Sequence, residues 1–343
     1  MVATVSEPPQ LVVAFVAHAL SLGAAEVCLY LDEPAPDLTA MLRPNPRVRL
    51  VDCDAAHWQG LGMARPWVPA MRQRANLKAE LDAARLPWVL HIDADEFLWG
   101  PGDIGAILAA QPAETGFVLV PVAERVHSGP ADPGDVFSGR FRRQVGGPAE
   151  EVIARIDGPA APFLRQGMAG YAGGKSFFRT GGRVASGVHV PDGASGPMPA
   201  LHSHLILHFD GLTPAGWVMK KRRKMAQQPE WRSFPDSHSA TRNQLAAVHA
   251  AGADDTAAQA VYALIKELAP EREAALAAHG ILLDVNLDLP ARIAAQFPGL
   301  TPDHSAAALD GHAIGYRPRR DVQALKHGLR AMLAGWTGRR PRA

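Results

Sequence analysis

Three acidic side chains, those of Asp93, Asp95 and Glu96, directly follow the apolar stretch of residues 88–92. Carboxylates this close together repel one another in a partly buried site, and a divalent cation removes that cost. In an extended backbone Asp93 and Asp95 point to the same side, so both can face one ligand. Mn²⁺ or Mg²⁺ prefers oxygen ligands and is often held by one or two carboxylates together with substrate phosphates. The pattern indicates a metal-assisted phosphate site; the alternative is that one acid caps the next helix.

Two pairs of polar residues could serve the same site. Arg72 and Asn76 are four residues apart and share one face of a predicted helix. From there they could hold a diphosphate or order the strand that precedes the acidic cluster. Lys175 and Arg179 are also four apart, in a predicted strand, and could bind phosphate or an acceptor. For each pair the alternative is an ordinary solvated surface.

His208 lies near the end of an apolar strand, on the same predicted face as His204. An imidazole can complete an Mn²⁺ shell that already holds a carboxylate and phosphate oxygens. The alternative is a structural histidine. Lys220 begins a basic run over residues 220–224, whose charges would spread around a helix. This pattern favours a solvated helix with one or two lysines reaching the diphosphate over a nucleic-acid or membrane surface.

Helices and strands that alternate along the first half of the chain must position these side chains. Residues 10–22 and 70–85 have helical periodicity, and Gly23 is placed to end the first helix. The predicted strands cover residues 26–31, 47–51, 88–92 and 115–121. Strands separated by helices predict an α/β fold with a mostly parallel sheet. Ligands bind beyond the carboxyl ends of such strands, where Asp32 and the acidic cluster fall.

The second half of the chain has a different character. Residues 127–163 are rich in Gly and Pro and predict a binding loop or lid. Paired strands are expected over residues 170–190 and another strand over 205–209, before a helix that begins at Thr213-Pro214. We expect a catalytic domain over residues 1–225 and a helical region over 226–343 that ends in a frayed basic tail.

Composition narrows the class of protein. The 343 residues carry a formal charge of +1, which gives no global reason to expect a nucleic-acid partner. Cys28 and Cys53, the only cysteines in the sequence, make no disulfide framework and favour a reducing compartment. No stretch approaches 18 uninterrupted apolar residues, so we expect a cytoplasmic protein without a membrane span.

The run Asp-Ala-Asp-Glu-Phe-Leu at residues 93–98 resembles the DxD motif of GT-A glycosyltransferases, in the form found in a family-2-like bacterial group. The resemblance covers roughly residues 5–225. Further stretches in the order of that group are residues 15–18 with Leu22-Gly23, 72–76, 174–179 and 205–209. One departure is Val-Ser-Glu at residues 5–7, where the group commonly has Lys-Asn-Glu.

The resemblance implies a GT-A fold and metal-dependent transfer of a sugar, with inversion, from a UDP-linked donor to a hydroxyl of a glycan, lipid or small molecule. It implies that Asp95 binds the metal, that Asp93 contacts the ribose or the metal through water, and that Glu96 belongs to the site. Asp32 would contact the nucleotide base or ribose; the alternative is a turn residue that opens Asp32-Glu33-Pro34. The catalytic base is unidentified, with Asp192 and Asp210 as candidates. The alternatives are a nucleotidyltransferase, a metal-dependent phosphohydrolase, or a nucleotide-binding module without activity.

Overall fold

The structure is a computed structural model that describes residues 1–181, 187–194 and 196–315. Within these ranges the chain is a mixed α/β protein with twelve strands and twelve α-helices. The strands are β1 (Val2–Val5), β2 (Val27–Leu31), β3 (Val48–Asp52), β4 (Trp88–Leu90), β5 (Glu96–Trp99), β6 (Phe117–Val120), β7 (Val122–Ser128), β8 (Arg140–Arg143), β9 (Lys175–Arg179), β10 (Leu205–His208), β11 (Glu267–Leu268) and β12 (Leu282–Leu283). The helices are α1 (Pro9–Ser21), α2 (Pro36–Leu42), α3 (Ala55–Gly60), α4 (Pro69–Ala83), α5 (Ile104–Ala109), α6 (Ala149–Asp157), α7 (Pro214–Gln227), α8 (Ser239–Ala250), α9 (Asp255–Lys266), α10 (Pro270–Ala278), α11 (Leu289–Gln296) and α12 (Ala306–Gly315).

The first three strands form a parallel sheet in the order β1-β2-β3. All five residues of β2 are buried, as expected of a parallel strand covered on both faces. Helix α1 follows β1, and the chain leaves it at Gly23, whose φ of +90° is the left-handed conformation that glycine accepts at low cost. β4 joins this sheet through one parallel bridge between Val2 and His91. The acidic cluster after β4 therefore lies at the carboxyl end of a parallel pair.

The remaining strands pair in both directions, so the prediction of a mostly parallel sheet holds only for β1–β3. β9 lies between β4 and β6 and is antiparallel to both. A second sheet has the order β12-β8-β7-β10-β5, with β11 beside β7. In it β10 runs parallel to β7 and antiparallel to β5. The predicted strand over residues 115–121 ends at Pro121, which has no N–H for a ladder, and the chain passes there from one sheet to the other.

Two predicted segments differ from what the structure contains. Residues 170–190 were expected to hold paired strands; the described part holds only β9, and residues 182–186 lie outside the described residues. Residues 127–163 contain β8, α6 and a short 3₁₀ helix, Gly158–Phe163, so much of this segment is regular structure that joins the second sheet. Two further 3₁₀ turns, Pro229–Ser233 and Asp236–His238, precede α8.

The C-terminal helices pack against the N-terminal elements. Leu289 and Ile293 of α11 belong to the same buried apolar cluster as Leu11 of α1. Tyr262 of α9 packs on Trp217 of α7, with the ring centroids 5.9 Å apart. The predicted boundary at residue 225 falls inside α7, and the predicted basic tail lies outside the described residues.

In the part of the chain that the structure describes, no helix combines the length and the apolar character needed to cross a bilayer.

Candidate functional site

The acidic cluster lies in a tight turn between β4 and β5, not in the extended backbone that the sequence suggested. The turn is closed by a hydrogen bond from the Glu96 amide to the Asp93 carbonyl, 3.1 Å. Two of the carboxylates keep contact with solvent: the side chain of Asp93 is 26% exposed and that of Asp95 18%. Glu96 is completely buried. Because the backbone turns, the two aspartates face different partners.

Asp93 uses both carboxylate oxygens for side chains from neighbouring elements. The Gln73 amide of α4 donates to Oδ1 (2.6 Å), and the Lys175 ammonium of β9 donates to Oδ2 (2.7 Å). Lys175 is completely buried. Burial acts to raise the pKa of Asp93, but the Lys175 charge outweighs it and holds that pKa well below its usual range. Asp93 is therefore an ionised partner of a buried lysine.

Glu96 holds the inner side of the turn. Its carboxylate accepts hydrogen bonds from the Tyr171 hydroxyl and from the Asp93 amide (2.9 Å), and it lies 3.3 Å from the Lys175 ammonium. Burial raises the pKa of Glu96, and the nearby Asp93 charge adds to that effect against the pull of Lys175. These contacts fix Lys175 and the Asp93 backbone in place.

Asp95 faces two cationic or basic side chains from the other side of the site. Its Oδ2 lies 3.4 Å from the Lys220 ammonium of α7 and 3.9 Å from Nε2 of His208, at the end of β10. The structure thus brings together three residues that the sequence singled out. Nδ1 of His208 lies 3.6 Å from Glu124 and has no hydrogen-bond partner among the described residues. Burial acts to lower the pKa of His208, but the Glu124 and Asp95 charges outweigh it and raise the pKa.

A buried charge cluster behind His208 was missed by the sequence analysis. Glu124 of β7 accepts hydrogen bonds from the amides of Ala169 and Gly170, each 2.6 Å. Lys266, at the end of α9, lies 2.9 Å from Glu124 and 3.7 Å from Asp210. Burial acts to raise the pKa of Glu124, but Lys266 outweighs it and lowers the pKa to about 2. Asp210 is also 3.2 Å from Lys220, so this cluster reaches the Asp95 side of the site.

The predicted nucleotide-side residues form a network at the carboxyl end of β2. Asp32 accepts hydrogen bonds from Arg72 of α4 (2.8 Å) and from Arg65 (3.0 Å). Arg72 also donates to the carbonyls of Pro66 and Trp67, at 2.9 and 2.8 Å. Since Gln73, the next residue on α4, contacts Asp93, this helix connects the Asp32 network to the acidic turn.

Asn76 lies deeper than expected. It is completely buried, where its amide donates to the Thr4 hydroxyl (2.9 Å) and its carbonyl oxygen lies 2.9 Å from Nε2 of His57. Arg179, the partner of Lys175 in the predicted pair, donates to the carbonyls of Gln111, Pro112 and Thr115 and lies over the Trp88 ring, away from the acidic turn.

Glu7 follows β1, and the charges of the acidic turn act on it. Burial, together with the charges of Asp95 and Asp93, raises its pKa to about 7. Its carboxylate accepts a hydrogen bond from the Ser6 amide, 2.7 Å. Glu7 is the residue that this chain shares with the Lys-Asn-Glu pattern at this point of the sequence.

The acidic and imidazole side chains of the site do not by themselves form a complete metal-binding group. Among the described residues no group of three or more His, Cys, Asp or Glu side chains is arranged to hold a metal ion. Asp95 and His208 offer two donors, one carboxylate oxygen and one imidazole nitrogen.

The likeness of this chain to known proteins is structural and distant. No protein-family model matches the sequence, and no curated protein does. Among solved structures, the chain is similar to the galactosyltransferase LgtC, whose structure was determined with donor and acceptor sugar analogues. The two share 13% identity over 52% of this chain, with a TM-score of 0.23, and the match spans 57% of the length of LgtC. A similarity this low does not establish a shared fold.

Proposed function

We propose that the chain is a GT-A glycosyltransferase that transfers a sugar, with inversion, from a UDP-linked donor to an acceptor hydroxyl. The observation that carries the proposal is the pairing of each aspartate of the acidic turn with a lysine from another element: Asp93 with Lys175, and Asp95 with Lys220. Sugar transfer needs positive charge aimed at the departing diphosphate. The motif at residues 93–98 supports the same reading.

The donors at Asp95 fit a divalent cation in part. Two ligands of one ion, each about 2.1 Å from it, can be at most about 4.2 Å apart, and Asp95 Oδ2 and His208 Nε2 are separated by 3.9 Å. A carboxylate with an imidazole suits Mn²⁺ better than Mg²⁺. Diphosphate oxygens would have to complete the shell. When bound, the metal would act as a Lewis acid and a template for the diphosphate.

We assign the two lysines and Glu96 different tasks. Lys175 is buried and held by two carboxylates, so it supplies a fixed positive charge beside Asp93. Lys220 is 45% exposed and can reach a phosphate. Glu96 has no exposed surface, so we propose that it acts through its neighbours, by holding Lys175 and the Asp93 backbone.

On the nucleotide side we propose that Asp32 and Arg72 line the donor pocket. Asp32 lies at the carboxyl end of β2, and its charge is balanced by Arg72 and the partly exposed Arg65. Asn76 is buried, so we assign it the positioning of β1 through Thr4 instead of a ligand contact. We propose that Asp93, which Gln73 of α4 contacts, lies on the ribose side of the donor.

An inverting reaction needs a carboxylate to take the proton of the acceptor hydroxyl. Asp210 is unsuited because it is buried, and the charges of Lys221, Lys220 and Lys266 outweigh burial and hold its pKa far below its usual range. Asp192 has a 42% exposed side chain and pairs with Arg74, next to Gln73 on α4. We therefore propose Asp192 as the base.

We further propose that residues 1–225 form the catalytic unit and that the helical region from residue 226 supports it. The support includes Lys266 of α9, which contacts Glu124 behind His208.

Nucleotide binding with and without metal tests the proposal. A ligand that binds only the folded state at a hundredfold excess over its dissociation constant adds about 2.7 kcal/mol of stability. We expect UDP to raise the melting temperature more with Mn²⁺ than with EDTA, and UDP-sugars to release UDP slowly. An equal shift in EDTA would remove the metal from the proposal. Release of phosphate from simple phosphoesters would favour a phosphohydrolase, and metal-independent binding without turnover a binding module.

A further inference from the structure

The two lysines of the site differ in how firmly they are held. Lys175 is completely buried between Asp93 (2.7 Å) and Glu96 (3.3 Å), so it has no other position to adopt. Lys220 is 45% exposed and lies at longer distances from its acids, 3.4 Å from Asp95 and 3.2 Å from Asp210. A long, exposed ammonium side chain can move at little cost. The Lys220 contact with Asp95 is therefore the one that can be exchanged.

Lys220 and His208 approach the same oxygen atom, Oδ2 of Asp95. An ion bound about 2.1 Å from that oxygen would be at most about 5.5 Å from the Lys220 ammonium, since Nζ lies 3.4 Å from the oxygen. Two cations at that separation repel each other strongly in a half-buried site. The ammonium and a divalent ion therefore compete for Asp95.

The surrounding charges allow Lys220 to leave. Asp210 is buried and would otherwise lose its counter-ion, but Lys266 lies 3.7 Å from its Oδ2 on the side away from Lys220. Lys266 is itself buried and paired with Glu124 at 2.9 Å. Asp210 thus keeps a neighbouring positive charge when Lys220 moves. Asp93 needs no second positive charge of this kind, because its two oxygens stay hydrogen-bonded to Gln73 and Lys175.

We propose that Lys220 is a displaceable counter-cation: in the free protein it neutralises Asp95 in the place of a metal, and it moves to the diphosphate when donor and metal bind together. The inference rests on the proposed function. An exchange of Lys220 for the metal makes metal binding weak without nucleotide and strong with it. The reason is that the diphosphate supplies both the missing metal ligands and a new partner for Lys220. Coupling of this kind is reciprocal, so the metal strengthens nucleotide binding by the same factor.

Substitution of Lys220 tests the proposed exchange, because it should strengthen the binding of Mn²⁺ alone and weaken the coupling between Mn²⁺ and UDP. Mn²⁺ alone is titrated into the wild type and Lys220→Met, with the free ion followed by electron paramagnetic resonance. We expect Lys220→Met to bind Mn²⁺ roughly tenfold more tightly, because a like charge beside the ion is gone. With UDP present, the gain in Mn²⁺ affinity should be smaller in the variant than in the wild type. A general loss of structure would not tighten one interaction while weakening the other.

Lys224→Met is the matched control, since Lys224 lies one turn further along α7, with its ammonium over the Phe234 ring at 5.9 Å. Because its ammonium lies over an aromatic ring and not beside Asp95, this variant should change both measurements much less than Lys220→Met does. The double variant Lys220→Met/Asp95→Asn should lose the added Mn²⁺ affinity, which would place that ion at Asp95.

Equal Mn²⁺ affinity in the wild type and Lys220→Met, or weaker binding by the variant, would overturn the exchange and leave the proposed transferase standing. Absence of Mn²⁺ binding in both proteins, with and without UDP, would overturn the exchange and the metal dependence together. Release of UDP from UDP-sugars in EDTA would then show whether the transferase proposal survives without metal.

Discussion

Asp93 and Asp95 are separated by one residue, yet their neighbours give them different chemistry. Both oxygens of Asp93 are occupied at 2.6 and 2.7 Å by Gln73 and Lys175. Asp95 has looser partners, at 3.4 Å from Lys220 and 3.9 Å from His208. A metal would have to displace two short, partly buried hydrogen bonds at Asp93 but only a longer contact with an exposed ammonium at Asp95. Asp95 is therefore the better ligand, and Asp93 the better fixed anion.

Substitution of Asp95 and His208 tests this assignment. Asp95→Asn keeps the shape of the side chain but removes the charge that would hold the cation, so Mn²⁺-dependent UDP binding and donor turnover should fall by orders of magnitude. The fold should stay intact because repulsion within the acidic turn is relieved. His208→Ala should weaken UDP binding with Mn²⁺ much more than without it. UDP affinity is measured for each variant in Mn²⁺ and in EDTA.

The double variant supplies the control. If both residues act through one ion, the losses from Asp95→Asn and His208→Ala should not add. Additive losses, or losses that are equal in EDTA, would make His208 a structural residue at the end of β10 and leave Asp95 without an imidazole partner.

At the residue scale the sequence pointed to Asp95, His208 and Lys220. The structure brings a nitrogen of His208 and of Lys220 within 4 Å of Oδ2 of Asp95. The sequence pointed to them because acids after a strand, and a histidine at the end of another, leave a local pattern. Glu124 and Lys266 have no such local pattern in the sequence. Their pairing joins β7 to α9 across more than a hundred residues of sequence, and only the tertiary fold brings the two charges together.

At the scale of elements, the segment before β9 determines how closely the site is packed. A side chain at Gly170 would meet Glu124 at 2.6 Å and His208 at 2.9 Å. Gly174 has a φ of +67°, and a Cβ there would lie 2.3 Å from the Val120 carbonyl. Neighbouring Gly173 has neither constraint, since its added Cβ would come no closer than 4.0 Å to His189. The first two positions need glycine, and the third does not.

Gly174→Ala should destabilise the protein by about 3 kcal/mol, near the upper range for one substitution, because it forces both a left-handed alanine and a clash with backbone. Gly173→Ala is the matched control and should change stability by less than about 0.5 kcal/mol. Urea unfolding of the two variants provides the comparison. Similar stabilities would mean that the turn before β9 can shift without cost.

The sequence predicted elements better than their pairing. The helix expected over residues 10–22 is α1, and the strand expected over 205–209 is β10, because apolar periodicity reports local burial directly. The relative direction of paired strands was predicted less well. β9 pairs antiparallel with both β4 and β6, and each pair joins segments far apart in sequence. Alternation of strands and helices along the chain carries no information about such long-range partners.

At the scale of the whole molecule, the C-terminal helices take part in both the core and the site. Ile293 of α11 packs with the apolar face of α1, and Lys266 of α9 balances Glu124 and Asp210 behind His208. A buried acid without its counter-ion is costly, so the site depends on charges from a region beyond the recognised motifs. The stability of the fold and the geometry of the candidate site are therefore coupled through the same buried groups.

Buried histidines make that stability depend on pH. His18 of α1 lies under β5, with Nε2 2.7 Å from the Leu98 carbonyl, and burial, reinforced by the charge of Arg292, lowers its pKa from 6.5 to about 4. In the unfolded chain the ring takes up a proton as the pH falls below 6.5. In the folded protein the same ring stays neutral until the pH approaches about 4. Protonation of His18 should therefore lower the free energy of unfolding by about 3 kcal/mol over that interval.

Urea unfolding at pH 7 and 4.5 tests this prediction. The loss of stability should be smaller for His18→Gln, which keeps a donor for Leu98 but cannot titrate, than for the wild type. His202→Gln, at an exposed position, should lose as much as the wild type. Because Glu96 and the other buried acids are unchanged in both variants, the difference isolates His18; equal losses in His18→Gln and the wild type would show that His18 is not held neutral in the fold.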